Sequence, residues 1–296
     1  MLIQQLLNGL VVGGVYALFA VGFNLVFGVQ RLLNLAHGAV FMTGAFLAYY
    51  TVKAGGSLIL GFLAAVIGSG ILSVIIEIIC FRRLRKTGEA EFGAIISSMG
   101  ASLIIMTVWQ WISQTQVLRF PFDTVPVVIF RFWGLRVSAL QLIMMATAII
   151  IVMLMAWFVY RTSFGRRVRA VTGNERAAML VGVNPNRIYN LTYFISGALA
   201  GAAGVLVGLA FNNINFTMGE PYLLFGFVII ILGGLGSIPG ALLASLIFGM
   251  VQTLAIAYLP SGLTNAFIFF TMFLILLVMP NGLMGREEAG SLRGRR

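Results

Sequence analysis

Charged and chemically reactive side chains are scarce in this sequence. Its 296 residues include one cysteine, one histidine and eight acidic residues, and 9% of them are charged, against about 25% in soluble globular domains. The single cysteine cannot form an intrachain disulfide. The lone histidine, His37, has no nearby cysteine or carboxylate to complete a metal site, and no nucleophile is paired with a base. We therefore expect no metal, no cofactor and no catalytic site.

Hydrophobic residues make up 60% of the chain instead. They recur in continuous runs of about 18 or more, long enough to cross a roughly 30 Å hydrocarbon layer as helices. Because the runs do not alternate apolar and polar residues, helices are favoured over a β-barrel. The sequence thus predicts an all-α polytopic membrane protein. The formal net charge of +11 falls between the runs, which indicates topology signals and contacts with membrane lipid rather than nucleic acid.

Nine spans are predicted from these runs. They cover residues of about 2–27, 39–53, 57–81, 94–113, 138–160, 188–211, 222–236, 237–259 and 263–280. The second and seventh are too short for a straight crossing. A re-entrant segment would reduce the count to eight.

The basic residues predict which side each loop faces. The nine spans place fifteen of the nineteen on one side: Arg31, Arg82, Arg83, Arg85, Lys86, Arg161, Arg166, Arg167, Arg169, Arg176, Arg187, Arg286, Arg293, Arg295 and Arg296. The positive-inside rule makes this side the cytoplasm, so the N-terminus is expected outside and the C-terminus inside. The other four are Lys53, Arg119, Arg131 and Arg136.

Two sets of four spans have opposite orientation. The first covers about 2–113 and the second about 188–280, with a linking helix at 138–160, a cytoplasmic loop at 161–187 and a cytoplasmic tail at 281–296. The second span is the short one in both sets, and inverted repeats with short, interrupted helices are typical of transporters. The alternative is that two short spans coincide by chance, because the halves share little residue-level similarity.

A stretch with polar residues and glycine precedes each short span, "NLAHG" at 34–38 and "NFTMGEPY" at 215–222. Polar groups at membrane depth usually line a cavity, and we expect the two stretches to meet from opposite sides of the membrane. The candidate substrate path therefore comprises Asn34, His37, Gly38, Asn215 and Gly219. The alternative is that "RLLNLAHG" is an interfacial loop with His37 at the headgroups.

No energy source for uphill transport is apparent in the chain. The glycine-rich stretch at 232–240 lacks the GK[ST] of a phosphate-binding loop. No acidic residue lies in the middle of a predicted span, which disfavours coupling to protons or sodium. The energy is therefore expected from a partner. The glycines of "GALAGAAGVLVG" at 197–208 are assigned to close helix packing.

The longest cytoplasmic loop is predicted to contain a short amphipathic helix through "RRVRAVTGNERAAMLVGV", ended by Pro185. One interpretation is a loop anchored at the headgroups, whose arginines follow from its cytoplasmic location. The other is a docking helix held in a groove of a cytoplasmic motor subunit. In that case Ala178 and Gly182, four residues apart, would lie on one face of the helix against the motor.

Four blocks of the sequence resemble one family. They are "NGLVVGGVYALFAVGFNLVFGVQRLLNLAHG", "GRRVRAVTGNERAAMLVGVNPNRI", "LGGLGSIPGALL" and "VMPNGLMGR". In this order they resemble permease subunits of branched-chain amino acid ABC importers, the LivH-like group, from about residue 5 to 286. One departure is that an acidic residue follows "AHG" in many relatives, whereas Ala39 stands here. The family also includes importers of urea and short amides.

The resemblance implies an assembly in the bacterial inner membrane. A second, related permease subunit would complete the membrane unit, two ABC ATPase subunits would dock below it, and an extracytoplasmic binding protein would deliver the substrate. The residues implied to couple with the ATPases are Arg169, Ala170, Asn174, Ala178, Gly182 and Asn184. The expected substrate is a branched-chain or other hydrophobic amino acid. The alternative function is a self-assembling channel or facilitator for a small neutral solute such as urea or an amide.

Overall fold

The computed structural model describes residues 2–86, 90–121, 124, 128–132, 135–279 and 282–284. Within them the chain forms eleven α-helices and one β-hairpin. The helices are α1 (Leu2–Gln30), α2 (His37–Lys53), α3 (Leu58–Ile76), α4 (Ala90–Ser113), α5 (Ala139–Arg161), α6 (Ser163–Gly173), α7 (Glu175–Leu180), α8 (Pro185–Phe211), α9 (Gly219–Gly233), α10 (Ile238–Tyr258) and α11 (Ser261–Val278). Strands β1 (Ile129–Phe132) and β2 (Leu135–Ser138) pair antiparallel.

Nine of these helices coincide with the nine predicted spans. Six segments are long and apolar enough to cross a membrane, and α9 and most of α11 are shorter apolar helices. The prediction of an all-α polytopic membrane protein is confirmed. The two short helices begin earlier than predicted, at His37 and Gly219, because the polar stretches before them already contribute to the first helical turn.

The centre of the molecule is a pair of long antiparallel helices, α1 and α8. The Tyr193 hydroxyl donates a hydrogen bond of 3.2 Å to Gln30 Oε1, whereas Gly22, two turns earlier on α1, lies against Ser196 and Leu199 of α8. Helix α1 packs mainly on α10, and α8 packs mainly on α3. Each central helix therefore packs mainly on the third helix of the opposite half.

Glycines allow this packing because a methyl group has no room at several crossings. A Cβ at Gly13 would come within 2.9 Å of the Leu246 backbone, and one at Gly201 within 2.7 Å of the Ala65 carbonyl oxygen. Gly197 and Gly204 meet the backbones of α3 and α2 in the same way. The predicted packing role of the 197–208 glycines is confirmed.

Corresponding details recur in the two halves. Ser57 caps α3 by accepting a hydrogen bond from Leu60 N, and Ser237 caps α10 by accepting one from Gly240 N. Each cap follows directly after the short helix of its half. These matched caps, together with the exchanged packing partners, support the predicted pair of repeats.

Polar side chains gather at the two ends of the bundle. At one end Arg82 and Arg85 donate hydrogen bonds to Asn190 and Asn186 at the start of α8. At the other end the Asn212 side chain accepts a hydrogen bond from Phe120 N. Eleven of the fifteen basic residues predicted to be cytoplasmic are described, and the other four, Arg286, Arg293, Arg295 and Arg296, lie outside the described residues.

Helix α3 continues as a π-helical turn, Glu77–Phe81. Such turns insert an extra residue into a helix and occur frequently at functional sites. Glu77 is fully buried there and forms an ion pair of 2.7 Å with Arg85, and Arg82 lies 3.7 Å away. A buried carboxylate of this kind is tolerated only with such partners.

Candidate functional site

The two short helices begin with the same turn. Asn34 Oδ1 accepts a hydrogen bond from Ala36 N, and its carbonyl accepts one from His37 N. Asn215 repeats both bonds, with Thr217 N and Met218 N as donors. The two stretches correspond in position and in their polar and glycine residues, and the shared turn supplies the physical reason for the correspondence.

The starts of these helices touch through backbone atoms. A Cβ at Gly38 would come within 2.7 Å of the Gly219 carbonyl oxygen, and a Cβ at Gly219 would overlap the Gly38 carbonyl group. Phe41 and Tyr222, each three residues further along, stack with ring centroids 4.8 Å apart. The expected approach of the two stretches is therefore present in the structure, and it requires glycine on both sides.

The point of contact lies between the two ends of the bundle. Helices α2 and α8 are both antiparallel to α3, so they run in the same direction. Helices α1 and α9 are both antiparallel to α10, so they also run in the same direction. Because α1 and α8 are antiparallel, α2 and α9 run in opposite directions. Their 17 and 15 residues span roughly 25 Å and 22 Å. Two helices of that length, leaving a common start in opposite directions, place the start near the middle of a bilayer.

His37 is fully buried in this region. Its Nε2 lies 3.2 Å from the Phe19 carbonyl oxygen, which can only accept, so Nε2 carries the proton and Nδ1 faces the Ser196 hydroxyl at 3.5 Å. The ring stacks on Phe23 at a centroid distance of 5.3 Å. The interfacial alternative for this residue is therefore wrong: the ring is a neutral link between α1, α2 and α8.

Asn34 is also fully buried, and its Nδ2 has no hydrogen-bond partner among the described residues. The spacing of three between Asn34 and His37 predicts that they share one helical face with Gly38. That prediction is wrong, because Asn34 precedes the start of α2. Asn215 is half-buried in the matching turn. An unpaired buried amide is costly, which makes Asn34 a group able to gain a partner in another conformation or when a ligand is present.

A small recess opens beside the glycine contact. It has an empty volume of about 220 Å³, including the part open to the surroundings, and its lining is formed by Gly38, Ala39, Met42, Ser102, Met106, Phe216, Gly219, Glu220 and Leu223. The lining comes from α2, α4, α9 and, through Phe216, the turn before α9, and it is apolar apart from Ser102 and Glu220. Sequence reasoning missed Glu220, because the seventh span was predicted to begin after it.

The location of Glu220 is energetically unusual. It is exposed in the first turn of α9, where the helix dipole favours an acidic side chain by about 0.3–1 kcal/mol. A carboxylate facing the hydrocarbon near the middle of a helical span costs about 2.5–3.5 kcal/mol on insertion scales. The dipole alone does not offset that cost. The side of the molecule that carries Glu220 therefore faces water or another protein rather than lipid tails.

The loop at 161–187 differs from its predicted single helix. Helix α6 ends at Gly173, and the chain turns at Asn174, whose side chain caps α7 by accepting a hydrogen bond from Ala177 N. Helix α7 ends at Leu180, followed by Gly182 at a φ of +81°. Gly182 N and Val183 N donate to the carbonyls of Met179 and Ala178, which is the Schellman arrangement.

Two details of the docking prediction are therefore wrong. Ala178 is buried within this chain, and Gly182 lies beyond the helix in a left-handed conformation, so the two do not form one face against a motor subunit. The apolar residues that α7 exposes are instead at its end: Met179 is 49% exposed, Leu180 89% and Val181 76%.

The remaining predicted coupling residues hold the shape of this segment. Arg169 donates a hydrogen bond to the Val159 carbonyl near the end of α5, and Ala170 is exposed on α6. Asn184 caps α8 by accepting from Asn186 N and Arg187 N. We define Met179, Leu180 and Val181 as the apolar tip, which this framework presents.

The apolar tip is joined to the buried ion pair by a chain of contacts. Tyr189 donates a hydrogen bond to Glu175, the first residue of α7, at 3.1 Å. The Arg85 guanidinium lies 4.2 Å from the centre of the Tyr189 ring and also pairs with Glu77. A displacement of α7 would therefore reach α3 through side chains in direct contact.

Comparison with known proteins agrees with this architecture. Residues 5–278 match the family model described as the permease component of branched-chain amino acid transport systems. The high-affinity branched-chain amino acid transport system permease protein LivH of Escherichia coli (strain K12) is 30% identical over 97% of this chain and 96% of its own length. BraD of Pseudomonas aeruginosa is 29% identical, with coverages of 97% and 96%. A probable LivH of Methanocaldococcus jannaschii is 25% identical, with coverages of 95% and 92%. Our chain therefore belongs to the family of permease components of branched-chain amino acid transport systems.

Proposed function

We propose that this chain is one transmembrane permease subunit of an ATP-driven importer for branched-chain or other hydrophobic amino acids. The observation that carries the proposal is the meeting of two short, oppositely directed helices near mid-membrane, in a chain whose relatives are named as permeases of that transport system. A site between such helices is accessible from either side when the surrounding helices tilt. The alternative, a self-assembling channel for urea or an amide, has no relative among those compared above.

The substrate path runs through the contact of α2 and α9. Its proposed residues are Asn34, His37, Gly38, Asn215 and Gly219. The recess beside the glycine contact is lined mainly by apolar side chains, among them Met42, Met106 and Leu223, which suit a hydrophobic side chain. His37 positions α2 against α1 and α8, and the two asparagines fix the turns at which the helices begin.

We infer that the chain has no catalytic site of its own. The free energy for transport would therefore come from ATP hydrolysis in partner subunits. Two ABC ATPases would bind the segment that contains Arg169, Ala170, Asn174, Ala178, Gly182 and Asn184, with the apolar tip as the principal contact. A second permease, a paralogue or a copy of this chain, would cover the side that carries Glu220. A binding protein would deliver substrate from outside a bacterial inner membrane, and the C-terminus would be cytoplasmic.

Reconstitution tests the proposed function directly. The chain is co-expressed with the permease, ATPase and binding protein encoded beside its gene, and the purified complex is placed in proteoliposomes. We expect uptake of radiolabelled leucine that requires both ATP and the binding protein. Equal uptake of urea by the chain alone, without ATP, would instead establish the channel.

Orientation gives a second prediction. In a Cys80→Ala background, we expect a cysteine at Leu180 to be labelled from the cytoplasm and a cysteine at Val117 from outside. The reason is that the eleven described basic residues predicted to be cytoplasmic belong to the same side of the nine-span topology as the apolar tip. Both positions are more than half exposed, so access to a membrane-impermeant maleimide reports sidedness. Gly88, an obvious alternative position, lies outside the described residues. Labelling of both cysteines from one side would contradict the nine-span topology.

His37 gives a third prediction. We expect His37→Ala to lower both the yield of assembled complex and the uptake per complex, because it removes a link among three helices. The lost contacts are those to the Phe19 carbonyl and the Ser196 hydroxyl, each contributing roughly 0.5–1.5 kcal/mol. His37→Gln, which retains a donor and an acceptor, should recover most of the yield. Wild-type yield and uptake in His37→Ala would show that the ring has no such role.

A further inference from the structure

We propose that the Glu220 carboxylate binds the α-ammonium group of the transported amino acid. The inference rests on the proposed function and adds a specificity-determining residue to it. It starts from the recess between α2, α4 and α9, in which Glu220 is the one ionisable side chain among the lining residues.

The internal symmetry identifies the position of Glu220. Asn215 follows Asn34 by 181 positions, and Gly219 follows Gly38 by the same number. The counterpart of Glu220 is therefore Ala39, and both residues line the same recess. One of two equivalent positions thus carries a carboxylate and the other a methyl group, which gives the recess a single negative charge on one side.

The Glu220 carboxylate forms no ion pair within the described part of the chain. In that part of the chain the two ion pairs, with Arg82 and with Arg85, both involve Glu77. An exposed carboxylate at mid-membrane depth is retained where it contacts water, a ligand or a charged group of another subunit. An amino acid carries one ammonium group. Apolar surroundings strengthen the attraction between that group and a carboxylate.

The lining of the recess also suits the apolar part of a hydrophobic amino acid. Apart from Glu220 and Ser102, its lining residues are apolar. A ligand whose ammonium group contacts Glu220 would direct its side chain along apolar surface. A neutral amide or urea has no cationic group, so a carboxylate at this position favours the amino acid class.

The test moves the carboxylate to its counterpart. In the reconstituted complex, we expect Glu220→Gln to reduce leucine uptake per complex by about 100-fold while the yield of complex and its basal ATP hydrolysis stay unchanged. Adding Ala39→Glu to Glu220→Gln should restore uptake to within about 10-fold of wild type, because the charge again lines the recess. Glu220→Asp, which keeps the charge, should also retain most uptake.

Three results would overturn this inference. The first is wild-type leucine uptake by Glu220→Gln. The second is an impaired Glu220→Gln that the added Ala39→Glu does not improve although the double variant assembles at wild-type yield, or loss of uptake in Glu220→Asp equal to that in Glu220→Gln. The third is loss of the second permease on purification of Glu220→Gln, which would assign the carboxylate to a subunit contact. Wild-type uptake measured in the same vesicles tests the proposed function separately, since only the ratio of variant to wild type reports on Glu220.

Discussion

A Leu180→Asp variant is expected to fold and insert but to lose its ATPase partners. Leu180 is 89% exposed at the end of α7, so the substitution disturbs no packing within this chain. A buried leucine contributes about 1.5–3 kcal/mol, and placing a charge in the same interface costs more. We expect the affinity for the ATPase subunits to fall by at least about 10- to 100-fold, with a corresponding loss of ATP-dependent uptake.

The measurement is co-purification of the ATPases, with uptake recorded in the same preparations. Leu180→Met is the matched control because it keeps an apolar side chain of similar volume, and it should behave as wild type. Retention of the ATPases and of uptake by Leu180→Asp would show that the apolar tip is not the docking contact. Gly182 is unsuitable for this test, because any side chain there is strained by a φ of +81°.

A Gly219→Val variant is expected to prevent assembly altogether. The added side chain would overlap the Gly38 carbonyl group, and no change of rotamer relieves a clash between a Cβ and a backbone atom. Overpacking of an interior typically costs 1–3 kcal/mol, and separation of two backbones in contact should exceed that. We expect the variant to yield almost no detergent-stable complex, measured by size-exclusion chromatography.

The matched control is Gly100→Val on α4, where a Cβ would meet no atom within 4 Å. It applies the same substitution within a helix of the same bundle and should leave the yield nearly unchanged. A stable complex from Gly219→Val would mean that α2 and α9 do not touch at this point in the assembled protein.

Most of the helical framework could be predicted because apolar length alone specifies it. The nine spans follow from continuous runs, and the packing role of Gly201 follows from small residues at helical spacing. The turns at Asn34 and Asn215 were located, but their hydrogen bonds were not. A comparison of "NLAHG" with "NFTMG" residue by residue would have indicated the shared asparagine and glycine.

The remainder depends on contacts that sequence periodicity does not contain. The break at Asn174 follows from a side-chain cap that competes with helix continuation, and the π turn at Glu77 follows from tertiary packing. Glu220 lies outside the predicted seventh span, which begins at residue 222, so apolar length does not select it, whereas its offset of 181 positions from Ala39 does. Burial of His37 could not be distinguished from an interfacial location without the positions of α1 and α8.

The π turn at Glu77–Phe81 has a mechanical consequence. One extra residue in the turn rotates everything after it by about 100° relative to a regular helix, and in this rotated setting Arg82 and Arg85 face Glu77 and the start of α8. If the turn became a regular helical turn, both arginines would face away from Glu77, and its buried carboxylate would lose its ion-pair partners. The ion pair between Glu77 and Arg85 therefore stabilises the π turn itself, in addition to neutralising a buried charge.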